Sequence, residues 1–265
     1  VNIVPKYSEV LSREDIDLST RFTKNTTMSV PIVASPMDTV TEYKMASEML
    51  DQGGVGVIHR FQSIEKQTEQ MKRVWRQWDS WYNIGDKDED RTDHHRVYED
   101  WYRGVMSWNH PPTKSDFEDL EELLWFADEA KKDEEYWSKR PLCAAVGVKG
   151  EYLERAKELV NNGCNVLLID VAHGHHKNVG EAIEKIKSKI SNVEVVAGNI
   201  ATSDGARFLA EKGADAIRVG IGNGSLCETR IRTGVGLPQV TTLIDDCSVA
   251  DDWDIPIIAD GGIRN

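Results

Sequence analysis

One thiol stands in a setting suited to chemistry. Cys227 lies in the run Arg218-Val219-Gly220-Ile221-Gly222-Asn223-Gly224-Ser225-Leu226-Cys227-Glu228-Thr229-Arg230. Glycines at 220, 222 and 224 let the backbone turn tightly and leave its amides and carbonyls open to a ligand. The run grows out of Ala216-Ile217-Arg218-Val219, which reads as a buried strand. A thiol on a loop at a strand end is placed for nucleophilic attack, the thiolate being the reactive form. The same residues also fit a glycine turn holding a buried cysteine. Glu228, next to the thiol, would disfavour the thiolate if it points inward and is harmless if it points outward.

Four further runs stand at the ends of apolar stretches. They are Ser35-Pro36-Met37-Asp38-Thr39-Val40, Asp170-Val171-Ala172-His173-Gly174, Ala197-Gly198-Asn199 and Ala259-Asp260-Gly261-Gly262-Ile263. Together with the cysteine loop they resemble the family of inosine-5′-monophosphate dehydrogenase and guanosine-5′-monophosphate reductase. The resemblance covers roughly residues 1–73 and 140–265, with the motifs in the family's order.

The resemblance implies a TIM (β/α)8-type barrel and purine nucleotide redox chemistry. In such a protein the Cys227 thiolate adds to C2 of the purine, and Thr229 contacts the attacking water or leaving group. The implied substrate-binding residues are Ser35 and Met37 in the purine pocket, Asn199 near the reacting base, Asp260 on the ribose hydroxyls, Ser225 and Gly262 at the phosphate, and Arg218. Asp170 is implied beside the nicotinamide ribose of NAD, or of NADPH in a reductase. Carbonyls of Gly222, Gly224 and Cys227 match a monovalent-cation site, usually potassium. A tetramer is implied by the same likeness. Ser35-Pro36-Met37 and the run Thr41–Ala46 favour inosine monophosphate dehydrogenase. Thr229–Gly236 looks more like the reductase, which remains the alternative. A nucleotide-binding or assembly module without turnover is the alternative of another class.

These residues need a scaffold. Strand-like runs occur at Pro31–Ser35, Val55–His59, Ala144–Val148, Val166–Asp170, Val193–Ala197, Ala216–Gly220 and Pro256–Asp260. They are short, apolar and mostly β-branched, as strands buried on both faces should be. Tyr152–Asn161, Asn178–Ile190 and Gly205–Lys212 carry apolar residues at helical spacing. Repeated βα units predict a parallel sheet. Every motif then falls at the C-terminal end of a strand, where TIM barrels keep their sites. The family continues with an eighth βα unit and a mobile flap, so the chain is read as a C-terminally incomplete barrel.

Residues 74–139 break the rhythm. They hold seven of the eight tryptophans and are rich in acidic side chains. The reading is an inserted, mostly helical subdomain, with an amphipathic helix at Phe117–Lys132, in place of the paired CBS modules that family dehydrogenases often carry. Its aromatic density argues against plain disorder.

Composition narrows the rest. A net charge of −13 disfavours nonspecific nucleic-acid binding. No apolar run is long enough to span a bilayer. Four scattered cysteines make no disulfide framework, and a free catalytic thiol suits the cytoplasm. Cys143, Cys164 and Cys247 read as structural. The histidines at 59, 173, 175 and 176 lack a second ligand set at metal-site spacing.

Overall fold

A computed structural model describes residues 4–84, 140–225 and 227–263. The chain divides into two compact units, Val1–Arg76 with Arg140–Asn265, and Gln77–Lys139. The expected insert helix at Phe117–Lys132 lies outside the described residues.

The first unit is built on seven parallel strands: β3 (Val33–Ala34), β4 (Val55–Ile58), β5 (Cys143–Val146), β6 (Val166–Asp170), β7 (Glu194–Ile200), β8 (Ala216–Val219) and β9 (Ile257–Ala259). They hydrogen-bond in that order, each beside its sequence neighbour. All seven expected strands are present, with ends displaced by a few residues. Helices alternate with them: α1 (Tyr43–Asp51), α2 (Ile64–Ile84), α3 (Tyr152–Asn161), α4 (Lys177–Lys189), α5 (Ser203–Glu211), α6 (Thr229–Thr233) and α7 (Gln239–Trp253).

The two faces of the strands do different work, because successive side chains alternate. Val55 and Val57, Cys143 and Ala145, and Val166 and Leu168 join Val196 and Ala216 in one buried cluster. The alternate residues Ile58, Ala144, Val146, Leu167 and Ile169 are buried as well, and being on the opposite face they meet the helices. Hence the near-continuous apolar strands. Val33 of β3 and Ile258 of β9 pack against the same inner cluster. The sheet is therefore curled, and its first and last strands flank a cleft of about 580 Å³. A curled parallel sheet with alternating helices agrees with a TIM-type barrel.

Helices bury one stripe each. In α4 it is Val179, Ala182, Ile183 and Ile186, and in α5 it is Ala206, Leu209 and Ala210. Thr202 caps α5 by accepting from the Gly205 amide at 3.3 Å. Helix α1 lies so close to β4 that a Cβ on Gly56 would stand 2.4 Å from the Ala46 Cα.

A short antiparallel hairpin, β1 (Thr20–Arg21) and β2 (Thr27–Met28), precedes the parallel strands. Phe22, fully buried, joins the inner cluster from this hairpin. Glu194 at the start of β7 fastens it: its carboxylate accepts from Thr23 Oγ1 and Thr26 Oγ1, both at 2.6 Å, and from the Asn25 amide at 3.0 Å. The hairpin thus closes the N-terminal end of the strands, opposite the motifs.

Candidate active site

The motif residues meet at the C-terminal ends of the strands, as expected for this architecture. Arg218 of β8 is the hub. Its Nη1 donates to Asp170 Oδ1 at 3.1 Å and to Asn199 Oδ1 at 3.2 Å. Its Nη2 donates to Ser35 Oγ at 3.3 Å and lies 3.1 Å from Asp260 Oδ1. Asn199 Nδ2 in turn donates to Asp260 Oδ2 at 2.6 Å and to the Gly220 carbonyl at 2.7 Å. Five of the expected residues, from β3, β6, β7, β8 and β9, therefore form one hydrogen-bonded group. The pairing of β7 with β8 shifts register between Gly198 and Ile200. Such an irregularity re-aims a side chain, here Asn199.

The cysteine loop is docked against the Asp260 loop. Asn223 Nδ2 donates to the Asp260 carbonyl at 3.2 Å, to the Gly261 carbonyl at 3.3 Å and to Gln239 Oε1 at 2.5 Å. Gln239, buried at the start of α7, donates to the Val219 carbonyl at 2.8 Å. Gly262 has φ +75°, and a Cβ there would stand 2.6 Å from Asn223 Nδ2. Only glycine fits that close approach. Asn223 and Gln239 both stand in runs visible in the sequence, but nothing marked them as the latch.

Cys227 is partly exposed. Hydrogen bonds from the Thr229 hydroxyl and then its amide, with a further backbone bond at Gly222, hold the thiol below its ordinary range despite some burial and the nearby Asp260. Glu228 points outward, exposed and paired with Arg232, so it leaves the thiolate undisturbed. Ser225, Gly262 and Met37 are exposed at the same mouth. The Met37 amide donates to the Ser35 carbonyl at 2.8 Å and its carbonyl accepts from the Val40 and Thr41 amides, so its side chain is the open part, whereas Ser35, Asn199, Arg218 and Asp260 are engaged with one another.

The other cysteines differ. Burial drives the thiols of Cys143 and Cys164 up, that of Cys164 to about 12. Both pack in the interior as read from sequence. Cys247 does not, since it is exposed on α7.

Asp170 is held from two sides. Arg60, just past β4, donates from Nε to the Asp170 carbonyl at 3.2 Å and stands 3.7 Å from Oδ2. Burial still pushes the Asp170 carboxyl above its ordinary value, with Arg218 and Arg60 opposing. Arg60 escaped the sequence reading; its place after the apolar run Val55–His59 was the available signal. Beside Asp170 opens a second cleft of about 390 Å³, lined among others by Arg60, Lys149, His173 and His176. His176 also caps α4, its Nδ1 accepting from the Asn178 amide at 3.1 Å. His175 packs on Phe208, ring centres 5.1 Å apart. Among the described residues no group of three His, Cys, Asp or Glu side chains could hold a metal ion, and no helix is long and apolar enough to cross a membrane.

Comparison with known proteins agrees with this geometry. The model of the IMP dehydrogenase / GMP reductase domain matches residues 1–265. Inosine-5′-monophosphate dehydrogenase of Cryptosporidium parvum is 40% identical, over 99% of this chain and 60% of its own length. The enzyme of that name from Borreliella burgdorferi is 38% identical, over 100% and 62%, and that from Nitrosopumilus maritimus 34%, over 100% and 69%. The chain thus spans about three fifths to two thirds of the length of these relatives. With its whole length matched and its motifs gathered at one strand end, the chain belongs to the IMP dehydrogenase / GMP reductase family.

Proposed function

We propose that this chain supplies the catalytic barrel of an inosine monophosphate dehydrogenase. The carrying observation is Cys227, a partly exposed thiol with a lowered pKa on a loop latched to Asp260. The Cys227 thiolate bonds to C2 of the purine, and the C2 hydrogen leaves as hydride with its electron pair. A nicotinamide dinucleotide held beside Asp170, with Arg60 and Lys149 at its pyrophosphate, would supply the hydride acceptor. Water then adds to the sulfur-bound C2, the C–S bond breaks, and xanthosine monophosphate leaves with release of a proton. Splitting one substitution into two steps lowers each barrier.

The side chains divide the labour. Asp260 accepts from the ribose hydroxyls. Ser225 and the Gly262 amide meet the phosphate, and Ser35 and Met37 border the purine. Thr229 hydrogen-bonds the thiolate before attack and is placed to orient water afterwards. Asp170 faces the nicotinamide ribose. Its carboxyl is partly open, and the neighbouring cleft bears Arg60 and Lys149, whose cations suit a pyrophosphate. These residues fit a dinucleotide. Carbonyls of Gly222, Gly224 and Cys227 are neutral oxygen donors of the kind potassium prefers. The Gly224 oxygen accepts from the Cys227 amide at 3.2 Å and keeps a second lone pair for a cation.

The seven strands are staves of a (β/α)8 barrel in this reading, and the protein is a cytoplasmic homo-oligomer. The chain acts on a free mononucleotide rather than on nucleic acid or at a membrane. The names of the relatives favour the dehydrogenase over the reductase. The test is turnover of the purified protein with inosine monophosphate plus NAD, and with guanosine monophosphate plus NADPH. Formation of NADH and xanthosine monophosphate is expected. Ammonia release in the second assay alone would assign the reductase instead, and a folded protein inactive in both would end the enzymatic reading.

A further inference from the structure

A buried arginine near two nucleotide sites invites the role of anion binder, yet Arg218 has little left to bind with. A guanidinium carries two protons on each Nη. Here the two Nη groups donate to Asp170 Oδ1, Asn199 Oδ1 and Ser35 Oγ and ion-pair with Asp260 Oδ1, at 3.1–3.3 Å, which leaves the single Nε proton outside this set. The side chain is only 10% exposed. A phosphate or base would have to displace a protein acceptor to reach it.

We infer that Arg218 is a positioning residue that ties the substrate-ribose carboxylate, Asp260, to the cofactor-ribose carboxylate, Asp170, and so couples the two nucleotide sites. The inference rests on the functional reading above and deepens it. Asp260 is fixed through both oxygens, Oδ1 by Arg218 and Oδ2 by Asn199 Nδ2 at 2.6 Å. Each carboxylate oxygen has a second lone pair, which matches the two vicinal hydroxyls of a ribose. Asp170 is held at Oδ1 by Arg218, while its Oδ2 faces the Arg60 charge at 3.7 Å and its carbonyl accepts from Arg60 Nε at 3.2 Å. Two guanidinium cations thus balance two carboxylates. Without Arg218 the carboxylates lose the charge between them, and like charges at close range disfavour joint ionisation. Movement of Asp260 onto a substrate ribose is felt at Arg218 and passed to Asp170. Linkage makes that coupling reciprocal. The planar fork matters as much as the charge, because an ammonium cannot address four acceptors in one plane.

The test measures coupling in a Cys227→Ala background, where no hydride transfer follows binding. Affinity for inosine monophosphate is measured by calorimetry with and without saturating NAD, with Arg218 intact, Arg218→Gln and Arg218→Lys. With Arg218 intact, NAD should change the affinity for the mononucleotide. Arg218→Gln should weaken both ligands by about tenfold or more, the loss of one charged hydrogen bond at each site, and abolish the effect of NAD. Arg218→Lys should restore part of each affinity and little of the coupling. Wild-type coupling in Arg218→Gln, or a loss confined to one ligand, overturns the inference. Should the protein with Arg218 intact bind neither nucleotide, the functional reading falls instead. The clamp is then judged by ligand-free double-mutant cycles in urea, pairing Arg218 with Asp170→Asn and with Asp260→Asn. Coupling to both carboxylates supports it and coupling to one alone refutes it.

Discussion

Asp246 offers a direct test of the physical reasoning, independent of the reaction. It lies on α7, facing inward with Thr242, Val249 and Ala250, and is fully buried. Among the described residues neither carboxylate oxygen has a hydrogen-bond partner. Burial first, and the neighbouring Asp245 second, raise its pKa from 3.8 to about 6. A carboxyl whose folded pKa exceeds its unfolded one binds its proton more tightly when folded. Its contribution to stability is complete below the unfolded value and is lost as pH rises through the folded value. The window therefore runs from about pH 4 to above pH 6. A shift of roughly two units corresponds to about 3 kcal/mol at most, and some relaxation should reduce it to about 1–2 kcal/mol. Replacing Asp246 with Asn removes the ionisation while keeping the shape. Urea unfolding at pH 4 and pH 8 should show Asp246→Asn to be stabilising at pH 8, with the gain much smaller at pH 4. An equal change at both pH values would show that ionisation costs nothing at this site, and the reasoning would be wrong.

Other outcomes follow from the same structure. Iodoacetamide should label Cys227 faster than the exposed Cys247 near neutral pH, because hydrogen bonds from Thr229 lower one thiol while burial and then Asp251 raise the other; peptide mapping that finds Cys247 modified first would contradict this. Asp260→Ala should weaken inosine monophosphate by about 1.5–3 kcal/mol, the worth of charged hydrogen bonds, and unchanged affinity in calorimetry would remove Asp260 from the ribose site. Glu194→Ala should cost a similar 1.5–3 kcal/mol in urea unfolding by freeing the hairpin; a smaller loss would mean that Phe22 alone holds it. Gly262→Ala should reduce turnover sharply with little loss of secondary structure by circular dichroism, since its Cβ would displace Asn223.

What the sequence determined by itself was the alternation of buried strands and amphipathic helices, because continuous apolar runs and helical periodicity are local properties. Val166–Asp170 and Tyr152–Asn161 read correctly to the residue. The order of the motifs, and the end of the sheet that would carry them, followed from the same pattern. Other elements were silent for physical reasons. The hairpin Thr20–Arg21 with Thr27–Met28 is too short to show a period, and it holds its place through Glu194, far away in sequence. Helix α2 reads as polar because the side chains it buries include Gln67, Thr68 and Gln70, and α7 likewise buries Gln239, Thr242 and Asp246 rather than an apolar stripe. Only tertiary structure decided what the site residues do to one another. The family likeness named Arg218 as a substrate residue; the fold adds that its Nη groups meet Asp170, Asn199, Ser35 and Asp260. It turned Glu228 outward and aimed Asn223 at the Asp260 loop. Hydrogen bonds depend on direction and distance between side chains brought together from separate strands, and no spacing along one chain encodes them.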